Sequence, residues 1–330
     1  MLGRIIPLLF ILSFINAQIA LPTFQAVHKP HTTTSSGTFT FTNCSATGRT
    51  GPTQSQVNST YTSGNSLYNA VTINTQGIQE WTVPETGTYT IEGYGAQGAG
   101  DYGGKGAKIV GTFNLSEGDV LKILVGQVGY HNTSNASGRS SGGGGGTYVT
   151  KSPYNNTSSI LVIAGGGGGQ GVSNTCSTEN LTGIGGSTEN DGLAGANTTT
   201  LANIYGTGGN GGSKSHNTGA SCGAGFIGNS VAYSNSSWAD EAYSFVNGGE
   251  GANMDHSVSY DNGGDGGFGG GGAGAYGGGG GGGYSGGGTG DYSSPCRDSG
   301  GGGGGSYNSG SNPSNTAGTW EEHGQVIITY

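Results

Sequence analysis

The chain has 330 residues, of which 76 are glycine and 8 proline; together these make up about a quarter of it, at the lower edge of low-complexity composition. Only 9% of residues are charged and the net charge is −9, which excludes the clustered Lys and Arg that a nucleic-acid partner requires. The glycines follow no G-X-Y period, so the chain is not collagen.

Residues 1–17 read MLGRIIPLLFILSFINA, with one early cation (Arg4), an apolar middle and a small residue at the end. This predicts a secretory signal peptide cut between Ala17 and Gln18. The alternative, an uncleaved anchor, has against it the short length and a mid-run proline. Residues 18–37, with HKPHTTTSSG, read as a polar linker. The longest apolar run beyond residue 17 is ILVIA at 160–164, too short to span a membrane. A secreted chain with no span in its mature part is the expectation.

From Thr38 the texture is that of strands. TFTFT (38–42), VTI (71–73), IQEWTV (78–83), TYTIEGYGA (88–96), AKIVGTFNL (107–115), DVLKILVGQ (119–127), GTYVTK (146–151), SILVIAG (159–165) and the terminal GQVIITY (324–330) are rich in Val, Ile, Thr and Tyr. PETG at 84–87 and SEGD at 116–119 are turn chemistry. No stretch sustains a helical apolar period. The fold class read from this is all-β, a two-sheet sandwich.

Between about 165 and 320 glycine takes over: five at 165–169 (after five at 142–146), four at 269–272, seven at 277–283 and six at 300–305. Phe268, Tyr276, Tyr284 and Tyr307 punctuate these runs. Two readings compete. One is a disordered tail, favoured by the cost of freezing glycine. The other is an ordered bundle of extended glycine helices with three residues per turn, packed closely because no Cβ intervenes. The return to a good strand at 324–330 favours the second: an insertion at about 165–320 whose two ends belong to one sandwich spanning 38–330. The spacing of eight between Phe268, Tyr276 and Tyr284 then predicts that successive rings point in different directions.

Ten N-x-S/T sequons occur, at Asn43, Asn58, Asn114, Asn132, Asn135, Asn155, Asn156, Asn180, Asn197 and Asn235; the overlap of Asn155 with Asn156 allows one of that pair to be used. Four cysteines, Cys44, Cys176, Cys222 and Cys296, lack zinc spacing, and in an oxidising compartment they can pair in three ways. The pairing read here is Cys176 with Cys222, both in polar, irregular sequence.

GYGAQG at 93–98 spells the dinucleotide fingerprint behind a strand, but it runs on through AGDYGGKGAKIVGTF into another strand, not a helix. No nucleotide or other cofactor is expected, and these glycines are assigned to turns and close chain approach. DNGGDGG at 261–267 offers Asp261, Asn262 and Asp265, yet has glycine (Gly263, Gly272) where a calcium loop needs oxygen donors. Scattered histidines (His28, His31, His131, His216, His256, His323) and the Glu321-Glu322 pair form no catalytic signature, so an enzyme is not expected.

Six motifs then occur in a telling order. They are WTVPETGTYTIEGYGA (81–96), GTFNLSEGDVLKILVGQ (111–127), GGGGGTYV (142–149), ILVIAGGGGGQG (160–171), GGFGGGG…GGGGGGGYSGG (266–287) and HGQVIITY (323–330). With FTNCSATGRTGPTQSQ (41–56) ahead of them, they resemble the glycine-rich extracellular domain of the anaplastic lymphoma kinase and leukocyte tyrosine kinase receptors. The resemblance implies a tumour-necrosis-factor-like, jelly-roll sandwich with an inserted polyglycine bundle, and binding of a small basic protein ligand. The chain departs from that pattern in having no membrane span, no kinase and no growth-factor-like segment. Near Val57, and at the alanines Ala273 and Ala275, it also lacks cysteines that the receptors carry. The expected role is that of a secreted, non-enzymatic module that binds an extracellular protein or builds a surface. Two alternatives stand beside it: the ectodomain or a truncated form of such a receptor, and a structural matrix protein with a disordered tail.

Overall fold

The computed structural model describes residues 37–131, 140–172, 181–196, 204–213, 219–231, 238–255, 263–291 and 298–330. The predicted signal peptide, the linker up to residue 36, Cys176, Cys296, Asp261, Asn262 and the sequons at Asn132, Asn135, Asn180, Asn197 and Asn235 lie outside these.

The strands in chain order are β1 (Thr38–Phe41), β2 (Val71–Thr75), β3 (Ile78–Thr82), β4 (Gly87–Tyr94), β5 (Gly106–Leu115), β6 (Val120–Leu124), β7 (Thr147–Lys151), β8 (Ile160–Ala164), β9 (Tyr307–Asn308), β10 (Ser311–Trp320) and β11 (Gln325–Thr329). They form two antiparallel sheets, one of order β1-β11-β4-β5-β10 and the other β2-β3-β6-β7-β8-β9. The terminal strand β11 lies between β1 and β4, in register from Thr329↔Thr90 to Gln325↔Tyr94. Each of the nine sequence-predicted strands forms, within a few residues of its expected ends.

Period-two alternation sets the faces. On β5, Ala107, Ile109, Phe113 and Leu115 are buried while Lys108, Thr112 and Asn114 point the other way. The inward set meets Trp81, Leu121, Ile123, Val149 and Val162 of the second sheet in one apolar cluster. The fold is an all-β sandwich.

Within the second sheet, β7 and β8 are buried on both faces. Every residue of β8 is buried, and so are four of five on β7, which explains why ILVIA reads as an unbroken apolar run. The outer face of this sheet carries Ile78, Leu124, Tyr148 and Ile163, packed against Phe226, Phe245, Phe268 and Tyr284 from the glycine-rich segments. Phe268 and Tyr284 thus share one cluster, while Tyr276 packs on Trp238 with ring centroids 5.4 Å apart. The expected fan of aromatics is therefore only partly realised. The chain bends just after Phe268, where Gly269 and Gly270 take φ of 102° and 80°, so no single straight helix links the three rings.

Among the described residues, the glycine runs at 142–146, 165–169, 269–272, 277–283 and 300–305 lie outside the strands, yet they are buried and hydrogen-bonded. The seven-glycine run is surrounded by six other segments. Amides of Gly278, Gly281 and Tyr284 donate to carbonyls of Ser299, Gly302 and Gly305 at 2.9, 2.9 and 2.8 Å. Those of Gly279 and Gly282 donate to Ser141 and Gly144, and those of Gly280 and Gly283 to Ser221 and Ala224. Each partner advances by three residues when the run advances by three. In the opposite sense, Gly290 and Gly287 donate to Gly278 and Gly281, Gly169 and Gly166 to Gly279 and Gly282, and Gly272 to Gly280. Here the partners retreat as the run advances.

A short helix, α1 (Gln54–Thr60), and strands β9 and β10 were not anticipated. Helix α1 starts at a capping box in which the Thr53 hydroxyl accepts from Gln56 N and the Gln56 side chain accepts from Thr53 N. Strands β9 and β10 lie inside the segment read as glycine insertion. SNPSNTAGTW has turn composition, and it survives as a strand because it is an edge, paired on one side to β5, with register shifts around Pro313 and Gly318.

Candidate functional site

Three surfaces come into question, and the first is the outer face of the five-stranded sheet. Cross-strand register aligns Thr38, Thr329, Thr90, Thr112 and Ser311 in a row of hydroxyl side chains that crosses all five strands. Beside it Lys108 Nζ lies 2.8 Å from Glu92 Oε2, and Tyr94 OH donates to the same oxygen at 2.8 Å. Burial raises the Glu92 pKa, but the hydrogen bonds from Lys108 and Tyr94 outweigh it and hold the carboxyl below its usual range. The Lys108 ammonium is pushed up by its bonds to Glu92 and Tyr94. Trp320 covers Tyr94, with ring centroids 4.4 Å apart.

The second is a groove where the six-stranded sheet meets the 245–250 segment. A cavity of about 140 Å³ is bordered by Ile78, Lys122, Tyr154, Asn155, Phe245 and Val246. A second, of about 200 Å³, lies next to it, sharing Thr75 and Gly248 and adding Gln76, Asn247, Glu250 and Phe268. Tyr154 has φ of 70°; its hydroxyl donates to Val120 O and Lys122 Nζ sits 4.7 Å from its ring centroid.

The third is the charged surface. Among the described residues, four of five cations are spent in ion pairs: Arg49–Glu250, Lys105–Glu321, Lys108–Glu92 and Lys122–Glu80. The exposed acids that remain, such as Glu85, Glu117, Asp191 and Glu322, leave the surface negative.

The candidate residues named from sequence are dispersed. Of the described sequons, Asn58, Asn114, Asn155 and Asn156 are exposed, and Asn43 is half-buried with its Nδ2 donating to Ala46 O at 2.6 Å. Asn58 Oδ1 accepts from Gln54 and Asn114 Oδ1 from Thr88. Cys222 is buried with Sγ 3.4 Å from Ile204 O, and its proposed partner Cys176 is outside the described residues. Cys44 is a free thiol in the sandwich core, beside Val57, and burial pushes its pKa up. Asp265, from the DNGGDGG motif, accepts from Met254 N at 2.7 Å. No group of three or more His, Cys, Asp or Glu placed to hold a metal occurs among the described residues.

The glycines of GYGAQG act by close approach. A Cβ on Gly95 would overlap Gly165 O, and one on Gly98 would overlap Gly168 O. These glycines sit where β4 runs into the glycine layer and Ala96 N donates to Gly145 O at 3.0 Å. Sequence reasoning overlooked Tyr148, whose ring stacks on Phe245 at 5.1 Å and whose buried hydroxyl donates to Gly283 O at 3.0 Å. The aromatic flanking GGGGG in GGGGGTYV was the available signal.

No family model matches the chain. A stretch of it is similar to the mouse leukocyte tyrosine kinase receptor. The two are 40% identical over 107 residues, which covers 28% of this chain and 11% of that receptor. The match is thus narrower than residues 38–330, over which the motifs resemble the receptors, and it establishes a partial relationship. Among the described residues no helix is long and apolar enough to cross a membrane.

Proposed function

We propose that the chain is an extracellular, non-enzymatic module that binds a basic protein, built as a jelly-roll sandwich carrying a bundle of polyglycine helices. The similarity to the leukocyte tyrosine kinase receptor carries this reading. The bundle draws support from the repeat of three in the hydrogen-bond partners of residues 278–284, which is the repeat of an extended glycine helix with three residues per turn. Six hydrogen-bonded neighbours around one run would spend its buried backbone polar groups and leave a stiff layer against the sandwich. A stiff scaffold lowers the ordering cost of binding. Among the described residues exposed acids outnumber cations, which favours a cationic partner and speeds its approach.

The test is expression of the whole chain in secretory eukaryotic cells, followed by capture from an extracellular fraction at rising salt. Appearance in the medium and salt-sensitive retention of a basic protein are expected. Retention of the chain inside the cell, or no capture at low salt, would sink the proposal.

The same similarity supports a second reading, that the chain forms part of the ectodomain of a receptor of this type. A transcript extending past Tyr330 into a membrane span and kinase decides for it.

A further inference from the structure

The connection from β7 to β8 carries the overlapping sequons Asn155-Asn156-Thr157 and Asn156-Thr157-Ser158. Both asparagines are exposed, but their side chains are not equivalent. Asn156 is the residue that opens the 3-10 turn Thr157–Ser159. Its Oδ1 accepts from Ser158 Oγ at 2.7 Å, and its carbonyl accepts from Ser159 N at 3.0 Å and Ser159 Oγ at 2.6 Å. Its carboxamide is thus held by the hydroxyl of its own sequon. Asn155 makes no side-chain hydrogen bond among the described residues and borders the smaller cavity of the groove.

We propose that Asn155, not Asn156, carries an N-linked glycan, and that its first N-acetylglucosamine lies in this groove and joins the sandwich to the 245–250 segment. The inference rests on the extracellular reading, since such glycans are added in the secretory pathway. A pyranose ring has an apolar face of C–H groups and a polar rim, so it needs an apolar wall edged with polar side chains. The groove supplies Ile78, Phe245 and Val246 as wall, with Thr75 and Lys122 at the edge. Val246 is 42% exposed, and a ring lying over it would remove that apolar surface from water. Tyr154, held by its bond to Val120 O and by Lys122, fixes the direction in which Asn155 leaves the sheet. The adjoining cavity of about 200 Å³ continues the groove toward Gln76 and Asn247, where a second sugar would lie.

The overlap makes the assignment separable. Thr157→Ala destroys the Asn155 sequon and spares that of Asn156; Ser158→Ala does the reverse. With the whole chain made in secretory eukaryotic cells, glycopeptide mass spectrometry should show one glycan lost in Thr157→Ala and none lost in Ser158→Ala. In the native protein, enzymatic release of the Asn155 glycan should be about tenfold slower than at another occupied sequon, as for a ring docked roughly nine-tenths of the time. Val246→Asp should abolish that protection while leaving occupancy unchanged. Glycans elsewhere with a bare Asn155, or loss of the glycan in Ser158→Ala alone, overturn the assignment without touching the extracellular reading. Bare asparagines at every sequon overturn both. Release at Asn155 as fast as elsewhere, unaffected by Val246→Asp, overturns the docking.

Discussion

Gly281 donates its amide hydrogen to Gly302 O at 2.9 Å, and three residues to either side Gly278 and Tyr284 make the same bond to Ser299 and Gly305. Two chains can hold this register only if nothing projects between them. The sequence meets that condition by deleting Cβ atoms over whole runs, and it offsets the entropic cost of ordered glycine with backbone hydrogen bonds in several directions.

Gly280→Val tests this directly. A Cβ at Gly280 would overlap Gly287 O and Gly223 N. Both are backbone atoms and neither can rotate away. Overpacking of this kind is expected to cost about 3 kcal/mol or more, read as a large fall in melting temperature and in yield of folded protein. A variant as stable and as protease-resistant as the parent would show that the run is not confined.

Tyr148→Phe probes the join between sandwich and glycine layer. The substitution keeps the ring against Phe245 but takes the donor from Gly283 O, which has no other hydrogen-bond donor among the described residues. An unpaired buried carbonyl costs about 1–3 kcal/mol. Denaturant unfolding should register a loss of that size, and an unmoved midpoint would mean that the bond contributes nothing.

The sandwich was legible because its strands obey period two and end in turn chemistry. Ile91, Ile109, Leu121 and Ile123 announce their faces. Strand β10 was not legible, since Ser311, Asn312, Pro313 and Asn315 belong by composition to turns and only pairing with β5 makes them a strand. Helix α1 was hidden for a related reason: its one buried residue, Val57, gives no period, and its only marker is the Thr53-x-x-Gln56 box. The groove could not be read at all. Ile78 and Val246 lie far apart in the chain, and a glycine run carries no information about which other run it will face.

Cys44 should behave as a core residue, not as a reactive thiol. It is 1% exposed and burial raises its pKa, so little thiolate forms and reagents reach it only through opening of the fold. Alkylation at mildly alkaline pH, followed peptide by peptide, should be at least about a hundredfold slower in the native protein than in urea, the factor set by an opening cost of a few kcal/mol. Equal rates would place the thiol at the surface and undo its placement with Val57 in the sandwich core.

His323 makes stability depend on pH. Its Nδ1 accepts from Val128 N at 3.1 Å, a bond that requires that nitrogen to be unprotonated. Burial lowers its pKa from the ordinary 6.5, with Glu322 pulling weakly the other way. A base whose folded pKa is depressed is protonated first in the unfolded chain as pH falls. Its contribution is therefore complete above 6.5 and is lost progressively as pH drops through that value towards the folded pKa. His323→Gln keeps an acceptor and removes the titration. The fall in melting temperature between about pH 7.5 and about pH 5.5 should accordingly be smaller in the variant than in the parent, the difference isolating this one group from the carboxylates that also titrate. Parallel curves would mean that the imidazole is as free to take a proton in the folded protein as in the unfolded one, and that the latch between Val128 and the segment leading into β11 is not made.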